Sequence, residues 1–264
     1  MKLRSLLLVF TAIFLSAATV AAQAQATDLL KQIEQRKVIR IAAPNDYPPF
    51  GFAGTDMKPR GIDIEVAELI AQKLNVKLEL VPVTGPNRVP YLQSGRADLT
   101  ISSLGKTPER AKVIDYTIAY SPFYDAVYGR TDIPVKNFND LSNRTIAVTR
   151  GSMQDGELAT LAPRAVVRRF EDNNATLAAF LAGQTEMFAT GTAVAAAVMA
   201  KNPNVKMELK VILANAPCYI GVPKGNPALV EKINDIIRTA KKDGTLDKII
   251  QKWLGTPAGD LPET

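Results

Sequence analysis

Short β-like stretches alternate with helical periods along two successive runs of this chain, and a chain written this way must cover its strands with its helices. "VIRIAA" (38–43) has the apolar continuity of a buried strand. "GIDIEVAELIAQKLN" (61–75) puts Ile64, Ala67, Ile70, Ala71 and Leu74 on one helical face, with Asp63 placed as an N-cap. "VKLELVPV" (76–83) alternates as a strand does, "VPYLQSG" reads as a short helix ended by Gly95, and "ADLTISS" (97–103) is the next strand. Thr107 then caps a helix that has Pro108 in its first turn and Glu109 near the positive end of its dipole.

The second run repeats the pattern. "TIAVTRG" (145–151) is a strand that stops at a glycine, and "SMQDGELATL" opens a helix. "AVVRRF" is a strand, "NNATLAAFLAGQ" a helix capped by Asn173 or Asn174 and closed by Gly183, "EMFATG" (186–191) a strand and "TAVAAAVMAKN" a helix. Two amphipathic helices end the chain, one carrying Leu229, Ile233, Ile236 and Ile237, the other Leu246, Ile249, Ile250 and Trp253 before Gly255. Two runs of this kind form two α/β lobes. The aromatic-rich "AYSPFYDAVYGR" (119–130) and the later "CYIGVPKG" (218–225) serve as the extended crossovers of a hinge. Residues 27–122 and 218–264 make the first lobe and 123–217 the second. Ligands of open α/β sheets sit at the carboxyl ends of strands, so facing lobes enclose a small solute.

The first residues stand apart. Lys2 and Arg4 precede an apolar run from Leu6 to Val20, and small residues follow in "AAQAQA". This is the form of a secretory signal peptide cut after Ala26, with Ala22 and Ala24 as alternatives and an uncleaved membrane anchor as the competing reading. Cleavage takes two of the 32 bases and none of the 26 acids, leaving a net charge of +4 that is dispersed and unlike a nucleic-acid footprint. The absence of histidine excludes Ser-His-Asp and Cys-His catalysis and histidine metal sites. Cys218 is the only cysteine, so no internal disulfide and no cysteine zinc cluster is possible; it reads as a small buried hydrophobe. No phosphate loop and no dinucleotide fingerprint appears. We expect neither cofactor nor metal.

What remains is binding, or acid–base chemistry by Asp, Glu, Lys or Tyr. In "SSLGKTPERAKVIDY" (102–116), Ser102 and Ser103 end a strand, Gly105 admits a ligand close to the backbone, a helix start offers free N–H groups, and Arg110 adds a planar fork suited to a carboxylate. Alternatively the serines and Thr107 only turn and cap the chain, and Arg110 pairs with Glu109 or Asp115 at the surface.

"YPPFGF" (47–52), "GIDIEVAELIAQKLN", "YLQSGRADLTISSL", "TPERAKVIDYTIAY" and "TIAVTRGSMQD", in this order and at these spacings, resemble the polar amino-acid-binding proteins of bacterial ABC importers. These are the family 3 extracellular solute-binding proteins. The likeness covers essentially all of the chain after the leader. It implies a type II periplasmic-binding-protein-like fold, two α/β lobes joined by two hinge strands and closing on the solute. It also implies a periplasmic monomer, not an enzyme, that takes a carboxylate ligand, an amino acid by preference, and delivers it to an inner-membrane ABC permease. By the same resemblance Arg110 grips the α-carboxylate, and Ser103 and the backbone at Gly105 complete the polar site. Tyr47 packs on the ligand side chain, and the turn Gly151–Ser152–Met153 of the second lobe brings its amides to the carboxylate.

Three positions depart from the family pattern. The strand that usually ends in an ammonium-binding aspartate ends here with Thr190 and Gly191. The loop after "VPV" carries Gly85 where an aromatic is frequent, with Asn87 and Arg88 beside it, and Arg88 is either a ligand-facing cation suited to an acidic group or a surface charge. Met153 stands where a threonine is common. The competing function is an enzyme resembling the cyclohexadienyl dehydratases, for which Asp46, Glu171 and Asp172 are the candidate acids unless they are ordinary surface carboxylates.

Overall fold

The computed structural model describes residues 28–263, so the leader and its cleavage site lie outside the described residues. The first five-stranded sheet has the order β5-β1-β6-β13-β7. Its strands are β1 (Val38–Ala43), β5 (Lys77–Pro82), β6 (Leu99–Leu104), β7 (Ile114–Ser121) and β13 (Cys218–Pro223). β1, β5 and β6 are parallel, and β13 runs antiparallel to both β6 and β7. The second sheet has the order β10-β9-β11-β8-β12. It comprises β8 (Tyr124–Arg130), β9 (Thr145–Thr149), β10 (Val166–Phe170), β11 (Met187–Gly191) and β12 (Met207–Asn215). A small sheet of β2 (Asp46–Tyr47), β3 (Gly51–Ala53) and β4 (Pro59–Arg60) sits after β1.

The pleat sorts the second sheet's side chains. Ala126, Tyr128, Ala147 and Phe188 belong to one apolar cluster, and their chain neighbours Val127, Ile146, Val148, Met187 and Ala189 to another. Alternation this strict means that helices must cover both faces. The first lobe buries Ile39, Ile41, Leu99, Ile101 and Ile220 against Leu229, Ile233, Ile237, Leu246 and Ile250, so the apolar stripes of the two C-terminal helices are core. Among the described residues no helix is long and apolar enough to cross a membrane.

The chain passes between the sheets twice. Pro122 and Phe123 join β7 to β8, and Ala216 and Pro217 join β12 to β13. The two passages are tied to each other, since Ala216 N donates to Phe123 O at 2.9 Å. The second crossing therefore precedes Cys218, and "CYIGVPKG" is not itself the crossover: it supplies an inner strand of the first sheet, where the continuous run Cys218–Val222 is buried.

Two helix starts differ from the sequence expectation. The helix Ile62–Leu74 has Gly61 as its N-cap, at φ 123°, and Asp63 lies inside it, fully buried. A side chain at 61 would place Cβ 2.2 Å from the Phe50 carbonyl oxygen, so the turn into this helix requires glycine. The helix Asn173–Leu181 is capped by Asp172, which accepts from Ala175 N, and not by either asparagine.

Candidate functional site

The carboxyl ends of β1 and β6 face those of β9 and β11 across a cavity of about 40 Å³. Tyr47, Gly85, Arg88, Ser102, Ser103, Gly105, Phe123 and Asp125 line it together with Thr149, Ser152, Met153, Gln154 and Thr190. Seven of the nine residues expected from the sequence, namely Tyr47, Arg88, Ser103, Gly105, Ser152, Met153 and Thr190, thus line one cavity. Arg110 and Gly151 adjoin the cavity without lining it. The lobes come close together at Gly105, where an added Cβ would lie 2.6 Å from Met153 Cγ.

Two guanidinium groups converge here. Arg110 follows the cap at Thr107, whose hydroxyl accepts from Arg110 N at 3.1 Å. Its Nη1 donates to Gly105 O at 2.8 Å and its Nη2 reaches across the lobes to Gly151 O at 2.7 Å. The surface pairing with Glu109 or Asp115 does not occur; Asp115 pairs with Lys224. Arg88 is 8% exposed, which settles its orientation as inward. It donates to Gly85 O, Ser102 O and, at 3.5 Å, the same Gly151 O. Neither arginine forms an ion pair with a carboxylate among the described residues; both end on neutral carbonyls. Burial, and then the charge of Arg110, pushes Arg88 down to about 10, and burial lowers Arg110 too. Two desolvated positive charges that share one carbonyl oxygen favour an anion between them.

The wall opposite carries polar hydroxyl groups. The Tyr47 hydroxyl lies 3.0 Å from Thr190 Oγ1 and accepts from Gly191 N at 3.2 Å, so this buried ring spans the lobes. Burial raises its phenol. Ser103 has φ 40°, and its N–H is held by Asp63 Oδ2 at 2.9 Å while Tyr120 donates to Asp63 Oδ1. The carboxylate read as a helix cap is thus a clamp under the cavity-facing end of β6. Ser152 caps its helix by accepting from Asp155 N at 3.2 Å.

The acids considered for catalysis are otherwise engaged. Asp46 accepts from both the backbone N–H and the side-chain amide of Asn173, each at 2.9 Å, and so latches the lobes. Glu171 pairs with Arg150, and Asp172 is a helix cap. The acid that does line the cavity, Asp125, is one the sequence reading passed over. The signal was present: one carboxylate inside the apolar stretch "FYDAVYG".

Residues 39–256 match the family described as bacterial extracellular solute-binding proteins, family 3. The chain is 25% identical over 229 residues to the L-cystine-binding protein TcyJ of Escherichia coli (strain K12), covering 86% of each. It is 27% identical over 232 residues to the ABC transporter glutamine-binding protein GlnH of Bacillus subtilis (strain 168), covering 86% of this chain and 85% of that one. Among solved structures it resembles a solute receptor for L-cysteine of Neisseria gonorrhoeae, with a TM-score of 0.80 and 30% identity over 85% of this chain and 93% of that one.

Proposed function

This chain belongs to the bacterial extracellular solute-binding proteins, family 3, and from that premise we propose that it is the binding component of an ABC importer, taking an amino acid or a related small carboxylate into its interlobe cleft. The observation that carries the reading is the pair Arg88 and Arg110, one buried and one half-buried guanidinium that donate to main-chain carbonyls, have no carboxylate partner among the described residues, and meet at Gly151 O. A carboxylate is the planar anion that a guanidinium fork matches. Arg110 and Arg88 hold that group. Ser103, the backbone of Gly105, and the turn Gly151–Ser152–Met153 supply the surrounding polar contacts. Tyr47 and Thr190 form the wall for the rest of the solute.

The lobes comprise 27–122 with 218–264, and 123–217; the chain is exported by residues 1–26 and acts in the periplasm as a monomer without catalysis. Closing the lobes buries the solute and forms the surface that a membrane permease reads, a population shift driven by differential affinity for the closed form.

Calorimetry with the twenty amino acids, L-cystine and a set of organic acids tests the class. We expect a carboxylate-bearing member to bind and Arg110→Ala to abolish most of the affinity. Tight binding of a neutral sugar with no carboxylate bound would refute the reading. One observation favours a second reading, a dehydratase: Asp125 is a buried acid on the cavity wall. Formation of aromatic product from prephenate or arogenate would establish it.

A further inference from the structure

The cavity wall is bipolar. On the side of the first lobe stand the two arginines, and on β8 stands Asp125, fully buried. Its Oδ1 accepts from the Gln154 side-chain amide, and its Oδ2 has no hydrogen-bond donor. Directly behind it the half-buried Glu157, one turn along the helix Met153–Leu161 from Gln154, also has an oxygen, Oε2, without a donor. Two carboxyl groups in hydrogen-bonding contact with no donor between them hold a proton in common. A buried carboxylate on the wall of a ligand cavity is costly unless a proton or a cationic donor neutralises it.

Strand register explains why the acid is at this position. Asp125 pairs directly with Gly191 across β8 and β11. At 191 no side chain fits, because a Cβ would lie 2.3 Å from the Phe123 ring. The space over the end of β11 is filled by an aromatic ring from the crossover, and the carboxylate is supplied one strand over.

We propose that Asp125, backed by Glu157, is the seat for a cationic nitrogen of the bound solute, and that the pair releases its shared proton to water when that nitrogen docks. The inference rests on the reading of the cleft as a carboxylate site. It deepens that reading by assigning the solute a positive group as well, and it makes binding proton-linked. The charged and titratable groups that face Asp125 agree with this. Glu157 comes from the helix behind it, Arg88 and Arg110 from the first lobe, Tyr47 from β2 and Cys218 from β13. Burial first, and Glu157 next, raise the Asp125 carboxyl, and burial raises Glu157 as well, so the pair is protonated at neutral pH.

Titration calorimetry of the full mature chain at pH 7, in buffers of different ionisation enthalpy, reads the proton directly. The probes are the twenty amino acids and L-cystine, each beside its 2-oxo acid counterpart. For the amino acid that binds we expect release approaching about one proton per bound molecule. Asp125→Asn should abolish the release and weaken that amino acid at least about thirtyfold, the low end for removing one partner of a buried charge pair. The 2-oxo acid should keep its affinity in the same variant. Glu157→Gln should also abolish the release, and it supplies the same reading if Asp125→Asn does not fold. Amino-acid binding without proton release and unchanged in both variants overturns the proposal while leaving the carboxylate site intact. So does a protein that binds amine-free acids alone. If no carboxylate of either kind binds, the functional reading fails and the proposal falls with it.

Discussion

Arg110 and Arg88 illustrate how a charge is prepared at the residue scale. Each spends its donors on main-chain carbonyls, which orient the planar group without neutralising it. The fork stays positive, and the oxygen it shares with its neighbour, Gly151 O, belongs to the opposite lobe. Replacing Arg110 by Ala removes an interlobe bond and, on the proposed function, an anion contact at once. We expect a loss of about 2–5 kcal/mol in binding of the preferred carboxylate, measured by calorimetry. Arg110→Lys should recover little of it, because a point charge does not reproduce a two-pronged donor.

Asp63 gives the residue-scale pH dependence. Burial raises its carboxyl from the ordinary 3.8 to about 7, against the opposing hydrogen bonds from Tyr120 and Ser103. The folded state therefore keeps a proton that the unfolded chain gives up near pH 4. Stability from this group is fully present below pH 4 and is lost as pH rises through 7. The raised carboxyls of Asp125 and Glu157 act with the same sign. Melting temperature should fall between pH 5 and pH 8, and the fall should shrink in Asp63→Asn. A wild-type Tm that climbs over that interval would contradict the assignment.

At the scale of elements, the strands and long helices were legible because each rests on a period of two or 3.6 that only burial explains. The helix Ile62–Leu74, the strand Thr145–Thr149 and the terminal stripes appear where the pattern puts them. Helix starts were less legible, for a physical reason. "EDNN" offers three residues able to cap, Asp172, Asn173 and Asn174, and Asn173 is diverted because Asp46 of the other lobe takes both its N–H and its amide. At the other helix, Gly61 carries the turn and frees Asp63 to serve β6. Gly61→Ala forces a positive φ and drives Cβ into the Phe50 carbonyl, which cannot withdraw. We expect about 1–3 kcal/mol of destabilisation in chemical denaturation. Gly105→Ala differs, since the obstacle is the flexible Met153 side chain across the cleft. That variant should keep its denaturation midpoint and lose affinity, and affinity should return in part when Met153→Ala is added.

At the scale of the whole molecule, the lobes are held together by few bonds. Tyr47 meets Thr190 and Gly191, Asp46 takes Asn173, and the two arginines reach Gly151. Bonds this few, each worth about 1 kcal/mol net, set a balance that a ligand can tip. Asp46→Ala deletes two of them and uncovers the amino end of the helix Asn173–Leu181. Small-angle scattering of the unliganded variant should give a larger radius of gyration than wild type, with affinity for the preferred carboxylate reduced about tenfold or more. An unchanged radius would show that the latch lies elsewhere.

The sequence by itself determined the two sheets, the covering helices and the segment that carries Arg110, because periodicity and local caps are properties of neighbours along the chain. Only the folded structure decided which charges are buried. Arg88 reads equally as a surface cation until the lobes enclose it, and Asp125 reads as one polar residue in a crossing until register sets it opposite Gly191. The cost of a buried charge depends on what lies within a few ångströms in space, and here those neighbours come from residues 44 to 218, brought together by two passages of the chain between the sheets.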